Sequence, residues 1–155
     1  MKYLLAFLVL VGGTACYPAD EMLSLPNGGD MRMHCEPVCP AHDDILTLMA
    51  RVDAQLAPFL DYDPYDRWEQ YAQTYHTEPM FYAPPGHEPV RVAGITLHNR
   101  RAIGIWYPYD CAPEPVGTCM GVLGWELKMA ALEKELPYKG EAAKLEWLTD
   151  RNIQN

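Results

Sequence analysis

Residues 119–136 read CMGVLGWELKMAALEKEL. Leu123, Leu127 and Ala130 fall on one helical stripe, and Trp125, Met129, Leu132 and Leu136 fall on a neighbouring one. Apolar positions therefore cover much of the circumference, which predicts a largely buried helix. Glu126 sits among them, with Val122 and Leu123 a turn before it and Ala130 a turn after. An unpaired carboxylate in such a place is costly and tends to become protonated. Partners expected for it are Arg91, Arg100, Arg101, Lys128 or the backbone of a sheet. Gly121 and Gly124 each cost the helix about 1 kcal/mol relative to Ala, and the expected compensation is the close approach of another backbone.

Working outward, GEAAKLEWLTDRN predicts a last short helix, with Leu145 and either Trp147 or Leu148 turned inward. Upstream, VRVAGITLH and AIGIWY are β-branched and apolar around the turn NRR, which predicts a hairpin with Asn99 in the left-handed conformation. EPMFYAPPGHEP reads as a Pro-rich loop, and PYDCAPEPVGTC as a disulfide-braced one. In PAHDDILTLMARVDAQLAPFL, residues Ile45, Leu48, Met49, Val52 and Leu56 recur at helical spacing. Asp43 and Asp44 suit the positive end of that helix, and Pro58 ends or kinks it. DPYDRWEQYAQTYH predicts a second helix, capped by Asp63, begun by Pro64 and packed through Trp68, Tyr71, Ala72 and Tyr75. An aromatic ligand platform is the alternative use of that face. The order is α+β, with a small antiparallel sheet and about four helices.

The chain has 155 residues, 49% of them hydrophobic, with 10 Tyr and 4 Trp, enough for one domain with a real core. Its formal charge of -9, from 12 basic and 21 acidic residues, comes with no basic cluster. That balance argues against nucleic acid as a partner. Lys2 followed by LLAFLVLV has the form of a secretory signal, too short to span a bilayer, which takes roughly 20 residues.

The small residues and cysteine of GGTAC resemble the lipobox of bacterial lipoproteins, with Gly13 where that family usually carries Leu. The resemblance implies a signal peptide over residues 1–15, acylation of Cys16, and a membrane anchor through the N-terminal lipid. Ordinary cleavage after Ala15, leaving a free thiol, is the alternative. Tyr17 after the cysteine, in place of Asp, implies an exported protein at the outer membrane or in the periplasm. Residues 16–39 are expected to form the lipidated Cys and a flexible tether, and residues 40–155 a single α+β domain. With Cys16 acylated four cysteines remain, and local pairing, Cys35–Cys39 and Cys111–Cys119, is the preferred of three connectivities.

The succession of a helix, a short sheet and a buried helix with a central Glu resembles the zincin metallopeptidases. Their His-Glu-x-x-His motif holds zinc through two His while the Glu polarises the attacking water. Here the five residues are Trp125, Glu126, Leu127, Lys128 and Met129. The resemblance gives Glu126 the general-base position and Glu141, in GEAAKLEW, the position of a third ligand. It spans roughly residues 90–148. Trp125 and Met129 replace both histidines, and neither ligates zinc. No catalytic residue and no cofactor is therefore expected, and the scaffold would act as a pseudoenzyme. An ordinary buried helix and an unrelated active chemistry stay open beside that reading.

His34, Cys35, Cys39 and His42 have spacings that could ligate zinc or copper if the cysteines were reduced. His76, His87 and His98, with Glu126 or Glu141, are the ligands a metal-dependent hydrolase would need. Serine chemistry is disfavoured, since Ser24 is the only serine and no G-x-S-x-G is present. Asp61, Asp63 and Asp66 lack the calcium-loop pattern and read as a capping cluster. The expected function is a lipid-anchored envelope protein that binds an unidentified protein or peptide. The rivals are the hydrolase and a structural lipoprotein of phage or prophage origin.

Overall fold

The computed structural model describes residues 19–36, 39–106 and 118–154. Cys16 and Cys111 lie outside the described residues, as does the side chain of Cys119. The signal, the lipidation site and the Cys111–Cys119 pairing thus fall beyond them. Among the described residues no helix is long and apolar enough to cross a membrane.

The domain begins well before residue 40. Strands β1 (Ala19–Ser24) and β2 (Asp30–Cys35) form an antiparallel hairpin, so residues 19–35 are not the expected tether. The reason is a period of two: Met31, Met33 and Cys35 are fully buried, as is Leu23, while Arg32 faces solvent. The turn closes through Leu25 N–H to Gly29 O at 2.8 Å, with Gly28 at φ 86°, where a glycine is required.

Helix α1 (His42–Leu56) buries Ile45, Leu48, Met49, Val52 and Leu56, the stripe its spacing predicts, and a 3-10 turn through Pro58 follows. Helix α2 (Pro64–Trp68) is capped as expected, the Tyr65 amide donating to Asp63 Oδ1 at 2.9 Å. It stops after five residues, however, and Ala72–His76 is strand β3. Tyr71, Gln73 and Tyr75 are buried at every second position, a pattern that only an extended chain produces. The aromatics are core packing rather than a platform.

Strands β4 (Met80–Tyr82) and β5 (Val90–Val92) pair as a separate two-stranded sheet, in place of the plain loop expected at 78–89. Strands β6 (Gly94–Leu97) and β7 (Ala102–Trp106) form the expected hairpin. Its left-handed residue is Arg101, at φ 51°, and not Asn99, which lies within a 3-10 turn. Helices α3 (Thr118–Leu132) and α4 (Glu141–Asp150) complete the chain. In α4 it is Lys144, Trp147 and Leu148 that turn inward, and Leu145 is half exposed.

The α+β class with four helices stands. The main sheet runs β1-β2-β3-β7-β6. It is mixed rather than purely antiparallel, because β3 pairs in parallel with both β2 and β7. Between β2 and β3 the helices α1 and α2 return the chain in the same direction, and between β3 and β7 the strands β4, β5 and β6 make the return. Helix α3 packs against α1, α2, β6 and β7. Cys35 and Cys39 are joined by a disulfide with Cα atoms 5.0 Å apart, bracing the end of β2 to the chain that leads into α1.

Candidate functional site

β6 is an edge strand that lies directly over α3. Gly94 makes this possible: a Cβ there would sit 2.5 Å from Val122 Cγ1 and 3.0 Å from Glu126 Cγ. The close approach foreseen for the glycines of α3 therefore depends on a glycine of the sheet. Gly124 meets side chains of α1, Leu48 Cδ1 at 3.5 Å, and Gly121 has no neighbour within 4 Å among the described residues.

Glu126 is only 6% exposed, and the group that satisfies it is neither an arginine nor a lysine. Thr96 Oγ1, on β6, lies 2.5 Å from Glu126 Oε2 and 3.2 Å from the Glu126 carbonyl. One hydroxyl hydrogen cannot serve both oxygens. When Glu126 is neutral, its acid proton is donated to Oγ1 and the threonine hydrogen goes to the carbonyl, so every group is used. Burial drives this, pushing the Glu126 carboxyl up to about 7; the Thr96 hydrogen bond pulls it back and the charge of Glu141 adds to the rise. Three of the four expected cations are engaged elsewhere. Arg91 lies over Trp106, Arg101 donates to Gln70 Oε1 at 2.5 Å, and Lys128 donates to the Gln154 carbonyl at 2.7 Å.

Trp125 Nε1 donates to Glu141 Oε1 at 2.7 Å, across the α3–α4 junction. Met129 is buried. Glu126, Met129 and Glu141 line a cavity of about 330 Å³ beneath β6, together with Gly94, Thr96 and His98. It shares Tyr82, Thr96, Leu97, His98, Lys139 and Gly140 with an adjoining cavity of about 750 Å³, and the two form one cleft. Volumes in this range suit a ligand rather than a packing defect.

Between the two cavities lies a polar chain that the sequence did not reveal. Lys144, 2% exposed, donates from Nζ to Glu133 Oε2 at 2.5 Å and to His98 Nε2 at 3.1 Å. An Nε2 that accepts leaves the proton on Nδ1, which donates to Tyr71 Oη at 3.0 Å. Burial, and then the Lys144 charge, hold His98 below its ordinary value and keep the imidazole neutral. Burial alone would raise Glu133, but the hydrogen bonds from Lys144 and the Tyr138 amide outweigh it and leave the carboxyl low. Lys144 stands three and four residues before Trp147 and Leu148, on the buried stripe of α4; its charge hid a spacing that would have found it.

The other candidates do not assemble. The Cys35–Cys39 disulfide removes the thiolates a His34, Cys35, Cys39, His42 site would need. His34 Nδ1 instead meets Asp20 at 2.7 Å and His42 Nε2 meets Glu21 at 2.5 Å. Among the described residues no group of three or more His, Cys, Asp and Glu has metal-holding geometry. His76 pairs with Glu36 at 3.6 Å and His87 closes a turn onto Pro84; of the three scattered histidines only His98 reaches the cleft.

No protein-family model, no curated protein and no solved structure matches this chain.

Proposed function

We propose that the chain is a lipid-anchored envelope protein that binds an extended peptide or protein segment in the cleft between β6 and the α3–α4 junction. It would do so on a zincin-like scaffold that works without a catalytic metal. The observation that carries the reading is an edge strand, unpaired on its outer side among the described residues, lining a cleft of ligand size. An edge strand offers a row of backbone donors and acceptors that an added strand can pair with, while adjacent pockets select side chains. Tyr82, at the end of β4, lines both parts of the cleft from the opposite wall.

The zincin resemblance is supported by the succession of α1, sheet and α3, and by a buried Glu126 held under the edge strand. The Trp125–Glu141 hydrogen bond supports the pseudoenzyme form of it. The residue at the first ligand position is an indole whose N–H donates to Glu141 Oε1, and an N–H that donates cannot also ligate a metal. One observation favours the hydrolase as a second reading: His98, Glu126 and Glu141 line the same cavity.

The exported protein, purified and titrated with a peptide library, is expected to retain peptides that perturb the backbone amide signals of residues 94–97. Stoichiometric zinc, together with peptide cleavage lost in Glu126→Gln, would sink the non-enzymatic reading in favour of the hydrolase. An intact mass showing an unmodified Cys16 would remove the anchor and leave the cleft untouched.

A further inference from the structure

The wider end of the cleft has a composition at odds with the rest of the molecule. The chain carries a formal charge of -9, yet Arg67, Arg101 and Lys139 converge on the 750 Å³ cavity. Glu133 is the one carboxylate among its described lining residues, and it is already bonded to Lys144 and the Tyr138 amide. Among the described residues none of those three cations forms an ion pair. Arg67 Nε is buried and has no hydrogen-bond partner among the described residues.

The two arginines are also tied together. The Arg101 guanidinium lies 5.7 Å from the centre of the Tyr71 ring and donates to Gln70 Oε1, and Arg67 Nη1 reaches the same Gln70 oxygen at 3.4 Å. One amide oxygen therefore gathers both guanidinium groups. Two of the three non-glycine residues with positive φ among the described residues, Arg101 at 51° and Tyr138 at 59°, form walls of this cavity. Strained backbone of this kind concentrates where a ligand is bound. A planar guanidinium suits a carboxylate, with two parallel N–H donors matching two oxygens.

We propose that the pocket framed by Arg67, Arg101 and Lys139 binds a carboxylate of the peptide, so that the ligand is an acidic segment or a free chain terminus. The proposal rests on the peptide-binding reading above and adds to it the charge of the ligand. The carboxylate docks at this end because the other end holds the carboxylate of Glu141, which would repel it. A further cavity of about 620 Å³ beside β6 is lined by Met80, Phe81, Val92, Ile95 and Leu97 with Asn99 and Arg100 at its edge, and its apolar part suits an apolar side chain of the same peptide.

The test is an array of synthetic peptides, each made with a free and an amidated C-terminus, probed with the full-length protein and with Arg67→Gln/Arg101→Gln. Peptides that carry a side-chain or terminal carboxylate are expected to be retained, and the double variant is expected to bind them about tenfold more weakly. Loss on amidation assigns the carboxylate to the chain terminus; indifference to amidation with loss on Glu→Gln in the peptide assigns it to a side chain. Amidated peptides without Asp or Glu bound as tightly as those that carry a carboxylate would overturn the charge selection and leave the cleft reading intact. An array with no bound peptide would overturn both. If the double variant does not fold, the wild-type protein decides alone: binding must weaken as salt rises and either on amidation or on Glu→Gln in the peptide.

Discussion

Toward α1 and α2, helix α3 presents Gly124 to the side chains of Leu48 and Val52, and the Leu127 and Ala131 carbonyls accept from Trp68 Nε1 and Tyr62 Oη at 2.9 Å each. Toward β6 it presents Val122, Glu126 and Met129, and just beyond its end Glu133 meets Lys144 and His98. The first side is apolar packing with its few polar atoms satisfied locally. The second is held by a threonine, a carboxyl whose burial favours its protonated form, and a lysine chain around open volume. A helix used only to build a core has no reason to carry the second side. Its buried polar groups add little to stability unless every partner is present, and they cost heavily when one is removed.

The contrast can be broken in order of expected effect. Leu127→Ala should cost about 4 kcal/mol in urea denaturation, and the loss should be the same at all pH values, because nothing charged is involved. Lys144→Ala should cost about 3 kcal/mol at neutral pH. Glu133 has a lowered carboxyl, so its contribution is present above the ordinary carboxylate range and fades as pH falls. The Lys144→Ala penalty should therefore shrink in acid, and a penalty independent of pH would show that the pair is not what holds α4 in place.

Glu126 has the opposite sign. Its carboxyl is raised from 4.5 to about 7, so unfolding releases a proton between those values and stability falls as pH rises through that window. The group should account for about 3 kcal/mol of lost stability on going from pH 4.5 to above pH 7. Glu126→Gln should remove that slope, and an unchanged slope would mean that water already reaches the carboxylate. The smallest effect belongs to Gly121→Ala. With open space around it among the described residues and helix on both sides, this change should stabilise by about 1 kcal/mol, seen as a rise in Tm. A loss instead would place another part of the chain against that residue.

Much of the first side of α3 was legible because helical spacing is a local property. Ile45, Leu48, Met49, Val52 and Leu56 announced α1, and the cap at Asp63 was equally readable. Where spacing was ambiguous the reading failed. Tyr71 and Tyr75 are four apart, which fits a helical face and, with Gln73 between them, a strand; only the neighbours β2 and β7 select the strand. The hairpin at 19–35 was hidden by its Pro, Asn and Gly turn, although Met31, Met33 and Cys35 alternate through it. Of the site, Glu126 and Glu141 were legible as chemistry out of place, whereas Thr96, Lys144 and Glu133 were not, because each meets its partner across 11 to 30 residues of chain.

The sequence by itself determined the α+β class, the buried character of α3 and the anomaly of Glu126, which follow from local periodicity and composition, and it favoured the Cys35–Cys39 bridge that the structure then showed. Only the tertiary structure decided what satisfies Glu126, that Gly94 lets the edge strand rest on α3, and that Arg67, Arg101 and Lys139 share one cavity. A carboxylate buried on a helix must have a partner, and the local pattern says so. Which partner it has depends on the strand that the sheet brings over it.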